Sequence, residues 1–131
     1  MRLRARTDAM KRWNAAKAKK KLDVLWSRII HERDDHCRFC GRTEGMMNAH
    51  HVFSRRHTAT RWDVRNGVLV CFSDHYRAHN DIPWGHMMAI QAIGQPEFDM
   101  LDLIHEQIVH FDRAYYAAKL VELQKLVAGG F

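Results

Sequence analysis

His50 and His51 stand side by side, and Asn66, His75 and His79 follow in the stretch AHHVFSRRHTATRWDVRNGVLVCFSDHYRAHN, from Ala49 to Asn80. Two adjacent histidines at a strand end can divide labour, one ligating a metal and the other acting as a base. His75 and His79 are four residues apart, which on a helix puts both imidazoles on one face, one turn from each other. Two helical histidines and one from a distant strand supply three nitrogen ligands. The remaining coordination positions stay open for water and a phosphate oxygen, as in catalytic metal sites. A lone His-x-x-x-His is ordinarily a helix surface, and with ten histidines in the chain some adjacency arises by chance. The adjacent pair, the loop asparagine and the helical pair together favour the metal reading.

This pattern resembles the HNH, or ββα-metal, endonucleases, whose signature is a His or Asp followed by His, then a loop Asn, then a helical His. The match is carried by His50-His51, Asn66 and His75, with His79 one turn further on, and spans Cys37 to Asn80. The spacing is most similar to the colicin-type nuclease domains, in which both helical histidines bind metal. The flanking segment FSRRHTATRWDVRNGVLVC is similar to small phage HNH proteins linked to recombination.

The resemblance implies a division of roles. His51 becomes the general base that takes a proton from the attacking water, a task suited to an imidazole near neutral pH. Asn66 orients His51 through a hydrogen bond. His50, His75 and His79 hold one divalent ion, Mg²⁺, Mn²⁺, Zn²⁺ or Ni²⁺, which polarises the phosphate. An arginine clamps the phosphate, and Arg55, Arg56, Arg61, Arg65 and Arg77 are all candidates. His57, His86, His105 and His110 lack such partners in the sequence and read as surface or packing residues.

A second cluster has metal-ligand spacing. Cys37-Arg38-Phe39-Cys40-Gly41 forms a Cys-x-x-Cys knuckle, and Cys71-Phe72-Ser73-Asp74 stands where many HNH proteins carry a second such pair. Four thiolates there would hold a structural zinc. Here Asp74 takes the place of the fourth cysteine. Three readings stay open: Asp74 completes a Cys3Asp set, His36 replaces it, or there is no zinc and Cys71 is a small buried residue.

The elements that must position these groups follow from hydrophobic spacing. Residues from about Thr7 to Arg33 read as one helix, with Leu22, Leu25, Trp26, Ile29 and Ile30 as its buried stripe. Met47 to Phe53 reads as the first strand, Ser54 to Asn66 as a long functional loop anchored by Trp62, and Asn66-Gly67 as a turn. Val68 to Phe72 reads as the second strand. Ser73 is the expected N-cap of the histidine-bearing helix, from Asp74 to Asn80. Pro83 stops that helix or starts the next turn. Helices are expected from Trp84 to Ile93, closed by Gly94; from Pro96 to about Phe111, with Phe98, Leu101, Ile104, Ile108 and Phe111 inward; and from about Asp112 to Val127, with Tyr115, Leu120, Leu123 and Val127 as core or partner contacts. Met87-Met88 reads as gap-filling core. The expected fold class is α+β and mostly helical. A basic N-terminal helical arm (1–33) precedes a ββα-metal core (34–82) and a helical C-terminal extension (83–131).

Charge points to the partner. Residues 2–21 hold nine of the 21 Lys and Arg but only one of the 15 acids, Asp8, for a local charge of +8 within a chain of net +6. Lys19, Lys20 and Lys21 close this arm, and the four arginines from Arg55 to Arg65 form a second cluster against Asp63. Such an arm would supply salt-dependent, sequence-blind affinity for DNA. An apolar content of 47% suffices for a core, mean hydropathy is −0.45, and no apolar run approaches the roughly 18 residues a bilayer span needs. The N-terminus lacks the apolar middle of a signal peptide, and three cysteines argue for thiol or metal use rather than a disulfide framework. The expectation is a cytoplasmic protein, in the host cytoplasm if phage-encoded, with the helical tail as a candidate homodimer surface. The leading reading is a metal-dependent DNA endonuclease or nickase. The alternatives are a non-catalytic zinc-containing nucleic-acid-binding module and an RNA-cleaving nuclease.

Overall fold

The computed structural model describes residues 13–129. Residues 1–12, the first part of the basic arm, lie outside them; within the described residues the first helix begins at Ala15 with Asn14 as its N-cap, so the expected helix does not run unbroken from Thr7. Five α-helices and a two-stranded antiparallel sheet make up the described part: α1 (Ala15–Arg33), β1 (Met47–His51), β2 (Gly67–Cys71), α2 (Phe72–Asn80), α3 (Ile82–Ile93), α4 (Gln95–Ile104) and α5 (Arg113–Gly129). A single 3-10 turn, Val64–Asn66, leads into β2. The α+β, mostly helical class expected from sequence is what the chain adopts. No helix among the described residues is long and apolar enough to cross a membrane.

The sheet is small but covered on both faces, and every residue of β2 is buried. Side chains alternate between faces along a strand. Val68 and Val70 accordingly enter one core with Val52, Phe53, Ala89, Phe98 and Leu101, while Leu69 enters another with Leu22, Trp26, Ile29, Ile30, Trp62, Tyr116 and Leu123. The second core draws on all three segments read from the sequence, because α5 folds back along α1 beneath the sheet. Trp62 is buried as the loop anchor expected of it.

The strand register sends the adjacent histidines apart. His50 pairs with Val68 and His51 with Gly67, so His50 shares the face of Val68 and Val70, and His51 shares the face of Leu69. The first faces α2, the second α1.

Four local expectations are corrected. Ser73 is not a cap: α2 begins at Phe72 directly after the strand, with Cys71 in the N-cap position and no side-chain cap bond. Pro83 does not stop a helix but sits in the first turn of α3, where Asp81 accepts a bond from the Trp84 N–H at 3.1 Å. The Asn66-Gly67 pair is not a turn, since Gly67 is extended (φ −127°, ψ 141°) and opens β2. The fourth helix ends at Ile104 instead of Phe111, and Ile108 is 92% exposed. The His105 ring bonds the Asp102 carbonyl at 2.6 Å, taking up an acceptor that a continuing helix would use.

Candidate metal centres and cleft

His50, His75 and His79 converge: one ring nitrogen from each lies within 4.8 Å of the others. Strand β1 delivers His50 and two successive turns of α2 deliver His75 and His79, whose Nε2 atoms are 3.0 Å apart. Two imidazole nitrogens on one ion at about 2.0–2.1 Å stand roughly 2.8–3.4 Å apart, from octahedral to tetrahedral geometry. His50 is 7% exposed, and its Nδ1 is buried without a hydrogen-bond partner among the described residues. Burial, reinforced by the neighbouring His75 and His79, pushes the His50 imidazole down to about 3, and burial lowers His75 as well. The His50 ring is therefore neutral at neutral pH, the form that ligates metals. The group could hold a metal ion.

His51 faces the other way. Its ring lies on the indole of Trp26, with centroids 3.9 Å apart and planes 8° from parallel. Its Nε2 is 3.0 Å from the Arg61 carbonyl. A carbonyl can only accept, so in the neutral ring Nε2 carries the proton and Nδ1 keeps the free lone pair. Burial pushes His51 down to about 4, against the opposing influence of the Arg61 carbonyl and the Asp23 carboxylate.

Asn66 does not do what the sequence suggested. It makes no bond to His51. Its side-chain oxygen accepts from the Phe53 N–H at 2.8 Å, and its nitrogen donates to the carbonyls of Phe53 (2.9 Å) and Thr60 (3.2 Å). Fully buried, it ties the strand end to the loop, and His51 takes its orientation from the Arg61 carbonyl instead.

The arginines sort by what already occupies them. Arg61 forks onto Asp23 at 3.1 and 2.7 Å, Arg65 pairs with Asp63 at 2.7 Å, and Arg77 lies over the Trp84 ring at 4.1 Å. Arg55 and Arg56 are exposed, line the cleft beside the histidines and have no carboxylate partner among the described residues. Lys19 and Lys20 sit one turn before Asp23 on α1, on the side that reaches the cleft, whereas Lys21 borders a small apolar hollow with Trp13 and Leu22.

The cysteine cluster is gathered as the first of its three readings required. Cys37, Cys40, Cys71 and Asp74 bring their ligand atoms within 4.8 Å of one another. Two thiolates on a tetrahedral zinc stand about 3.8 Å apart, and a thiolate and a carboxylate oxygen about 3.5 Å. Cys40 Sγ and Cys71 Sγ are 3.8 Å apart, and Cys37 Sγ and Asp74 Oδ2 are 3.3 Å apart. Gly41, at φ 82°, lets the knuckle close through its N–H to the Cys37 carbonyl at 2.8 Å. His36 is turned to Asp35 at 2.7 Å and takes no part. This second group could also hold a metal ion.

Comparison with protein-family models, curated proteins and solved structures returned no match.

The two histidine faces open into one cleft of about 1100 Å³. It is lined by His50, His51, His75 and His79 together with the exposed Arg55 and Arg56. The sequence reads His57, His86 and His105 as ordinary surface or packing residues, yet all three line this cleft: His105 stacks on Phe53, His86 tilts against Phe53, and His57 meets His105 edge-on. Asp23 and Trp26 of α1 line it too. No local pattern marks these residues, since each reaches the cleft through a tertiary contact.

Proposed function

We propose that this chain is a metal-dependent HNH endonuclease that hydrolyses DNA phosphodiester bonds, with β1, β2 and α2 as a ββα-metal core. The observation that carries the reading is the pairing of an open three-histidine cluster with a separately held fourth histidine in the same cleft. A closed structural site needs four protein ligands and has no use for His51. A divalent ion on His50, His75 and His79 supplies Lewis-acid polarisation of a phosphate and offsets charge on the leaving oxygen.

The protein's own groups do the rest. His51 accepts the proton of the attacking water at Nδ1, and its Nε2–H keeps the bond to the Arg61 carbonyl as the ring becomes cationic. Arg55 and Arg56 bind the phosphates that flank the scissile bond, since Arg61 and Arg65 are committed to carboxylates. Lys19 and Lys20 extend the basic track along α1. The Cys37, Cys40, Cys71 and Asp74 set holds a structural zinc that pins the knuckle to the start of α2.

Plasmid cleavage by the full chain, with and without EDTA and across Mg²⁺, Mn²⁺, Ni²⁺ and Zn²⁺, tests the proposal beside His51→Ala. Metal-dependent nicking or linearisation that is lost in the variant is the expected result. Binding of DNA without cleavage under any metal would replace the enzyme by a nucleic-acid-binding module. Cleavage of RNA alone would change the substrate.

A further inference from the structure

We propose that Asp23, on the N-terminal helix, is a positioning residue for His51, acting through the loop segment Arg61-Trp62-Asp63. This rests on the nuclease reading of the cleft for its consequence in catalysis, though not for its geometry.

The orientation of His51 depends on one acceptor, the Arg61 carbonyl, and on one surface, the Trp26 ring. Both are set from α1. Asp23 accepts three hydrogen bonds from two successive loop residues: Arg61 Nε at 3.1 Å, Arg61 Nη2 at 2.7 Å and Trp62 Nε1 at 2.8 Å. One turn on, Trp26 donates from Nε1 to the Asp63 carbonyl at 2.9 Å while its face supports the imidazole. Three consecutive loop residues are thus gripped by two helical residues spaced i, i+3. The Arg61 carbonyl lies inside that grip, aimed at His51 rather than at a backbone N–H. Gly67 completes the arrangement, because a Cβ there would come within 2.5 Å of the Trp26 ring and displace the indole from the end of β2.

An ordinary staple between helix and loop would predict something different. The Asp23 side chain is 32% exposed, and a pair at that exposure adds little to stability. The attachment of α1 is already carried by Leu22, Trp26, Ile29 and Ile30 in the core. What the charge-paired fork adds is direction at the Arg61 carbonyl, and with it the tautomer of His51. Loss of the fork lets the carbonyl drift and the imidazole rotate or exchange its proton to Nδ1, which removes the lone pair that accepts the proton. Misplacement of a reacting group by about 1 Å costs on the order of a hundredfold in rate.

The test uses the full chain carrying Asp23→Ala and, as a variant of equal volume that keeps one acceptor, Asp23→Asn. Thermal melting, DNA affinity, plasmid cleavage, and nitrogen-15 NMR of the His51 ring are measured on each. Expected are a folded protein whose melting temperature is lowered only by the lost partner of the buried Trp62 Nε1–H, near-wild-type DNA affinity, a kcat lowered on the order of tenfold to a hundredfold with KM unchanged, and a His51 ring shifted from the Nε2–H tautomer to a mixture. Asp23→Asn should fall between wild type and Asp23→Ala. Wild-type kcat and tautomer in a folded Asp23 variant would overturn the positioning role while leaving the nuclease intact. A wild-type protein that never cleaves, with a His51 tautomer that still follows Asp23, would overturn the nuclease reading and leave the positioning. Should Asp23→Ala not fold, Asp23→Asn decides, and an unchanged tautomer in it overturns the proposal.

Discussion

His75 and His79 place their Nε2 atoms 3.0 Å apart on one side of α2, and His50 meets them from β1. Nitrogens at that separation either share a proton or share an ion. If they share an ion, replacing either residue by alanine removes a third of the ligand set. His75→Ala and His79→Ala should each weaken Ni²⁺ or Zn²⁺ binding, measured by titration calorimetry, by on the order of a hundredfold or more, since loss of an outer-shell partner alone costs about 10–100-fold. His51→Ala should leave that affinity nearly intact, because its ring faces α1. Equal metal affinity across all three variants would take the histidine cluster out of metal binding.

Asn66→Ala should act on stability before it acts on catalysis. Three buried hydrogen bonds hold Phe53 and Thr60 to the Asn66 side chain, and an alanine leaves their backbone groups unsatisfied. The expected loss in urea unfolding is about 2–4 kcal/mol. Metal affinity should change less, because no metal-cluster residue bonds to Asn66. A variant as stable as wild type but inactive would return Asn66 to direct contact with His51, the role its place in the sequence first suggested.

Asn66 also marks the limit of what the sequence displayed. Local pattern exposed the two strands, the histidine spacing on α2, the knuckle at Cys37 and the Gly94 cap, because each is written in residues close together along the chain. The job of Asn66 depends on where the loop carries Phe53 and Thr60, which no spacing encodes. Gly67 misled for a related reason. After asparagine it signals a turn, yet here it is extended, and the lack of a Cβ serves the close approach of Trp26 and Ile30 from a helix far away in sequence. Asp23 sits beside an apolar stripe that reads entirely as core. Its partners Arg61 and Trp62 look like phosphate ligand and anchor until the two elements are brought together.

Asp34 makes fold stability pH-dependent at the acid end. It is 4% exposed, and burial alone would raise its carboxyl. Bonds from Arg33 and from the Leu69 N–H, with the charges of Arg33 and Arg38, outweigh burial and hold it below the ordinary 3.8. A carboxyl whose folded value is depressed stabilises the fold fully above its unfolded value and loses that contribution as pH falls through the folded one. Asp34→Asn should therefore destabilise the protein at neutral pH, and the gap between variant and wild type should narrow as pH drops below 3.8. Urea midpoints measured across that range check it. A gap that stays constant with pH would mean that Asp34 contributes through shape and not through charge.

The cysteine cluster offers a test in which the outcome should improve on nature. Cys37, Cys40, Cys71 and Asp74 crowd four acidic groups within 4.8 Å. A hydrogen bond from the Arg42 backbone favours the Cys40 thiolate, but burial and the neighbouring Asp74, Cys37 and Cys71 outweigh it and push the thiol up to about 12. Without a cation the Cys40 thiol keeps its proton, so zinc binding should release protons and raise the melting temperature. Thiolate is a softer ligand than carboxylate and suits zinc better. Asp74→Cys should thus bind zinc more tightly than wild type, release more protons on binding and melt higher in its zinc form. Asp74→Ala should bind more weakly than either, because three ligands leave the site open. The melting temperature of each form, before and after chelation, orders the three. If chelation moves none of them, the cluster is held by packing alone, and the 3.8 Å between Cys40 and Cys71 is a contact between an exposed thiol and a buried one.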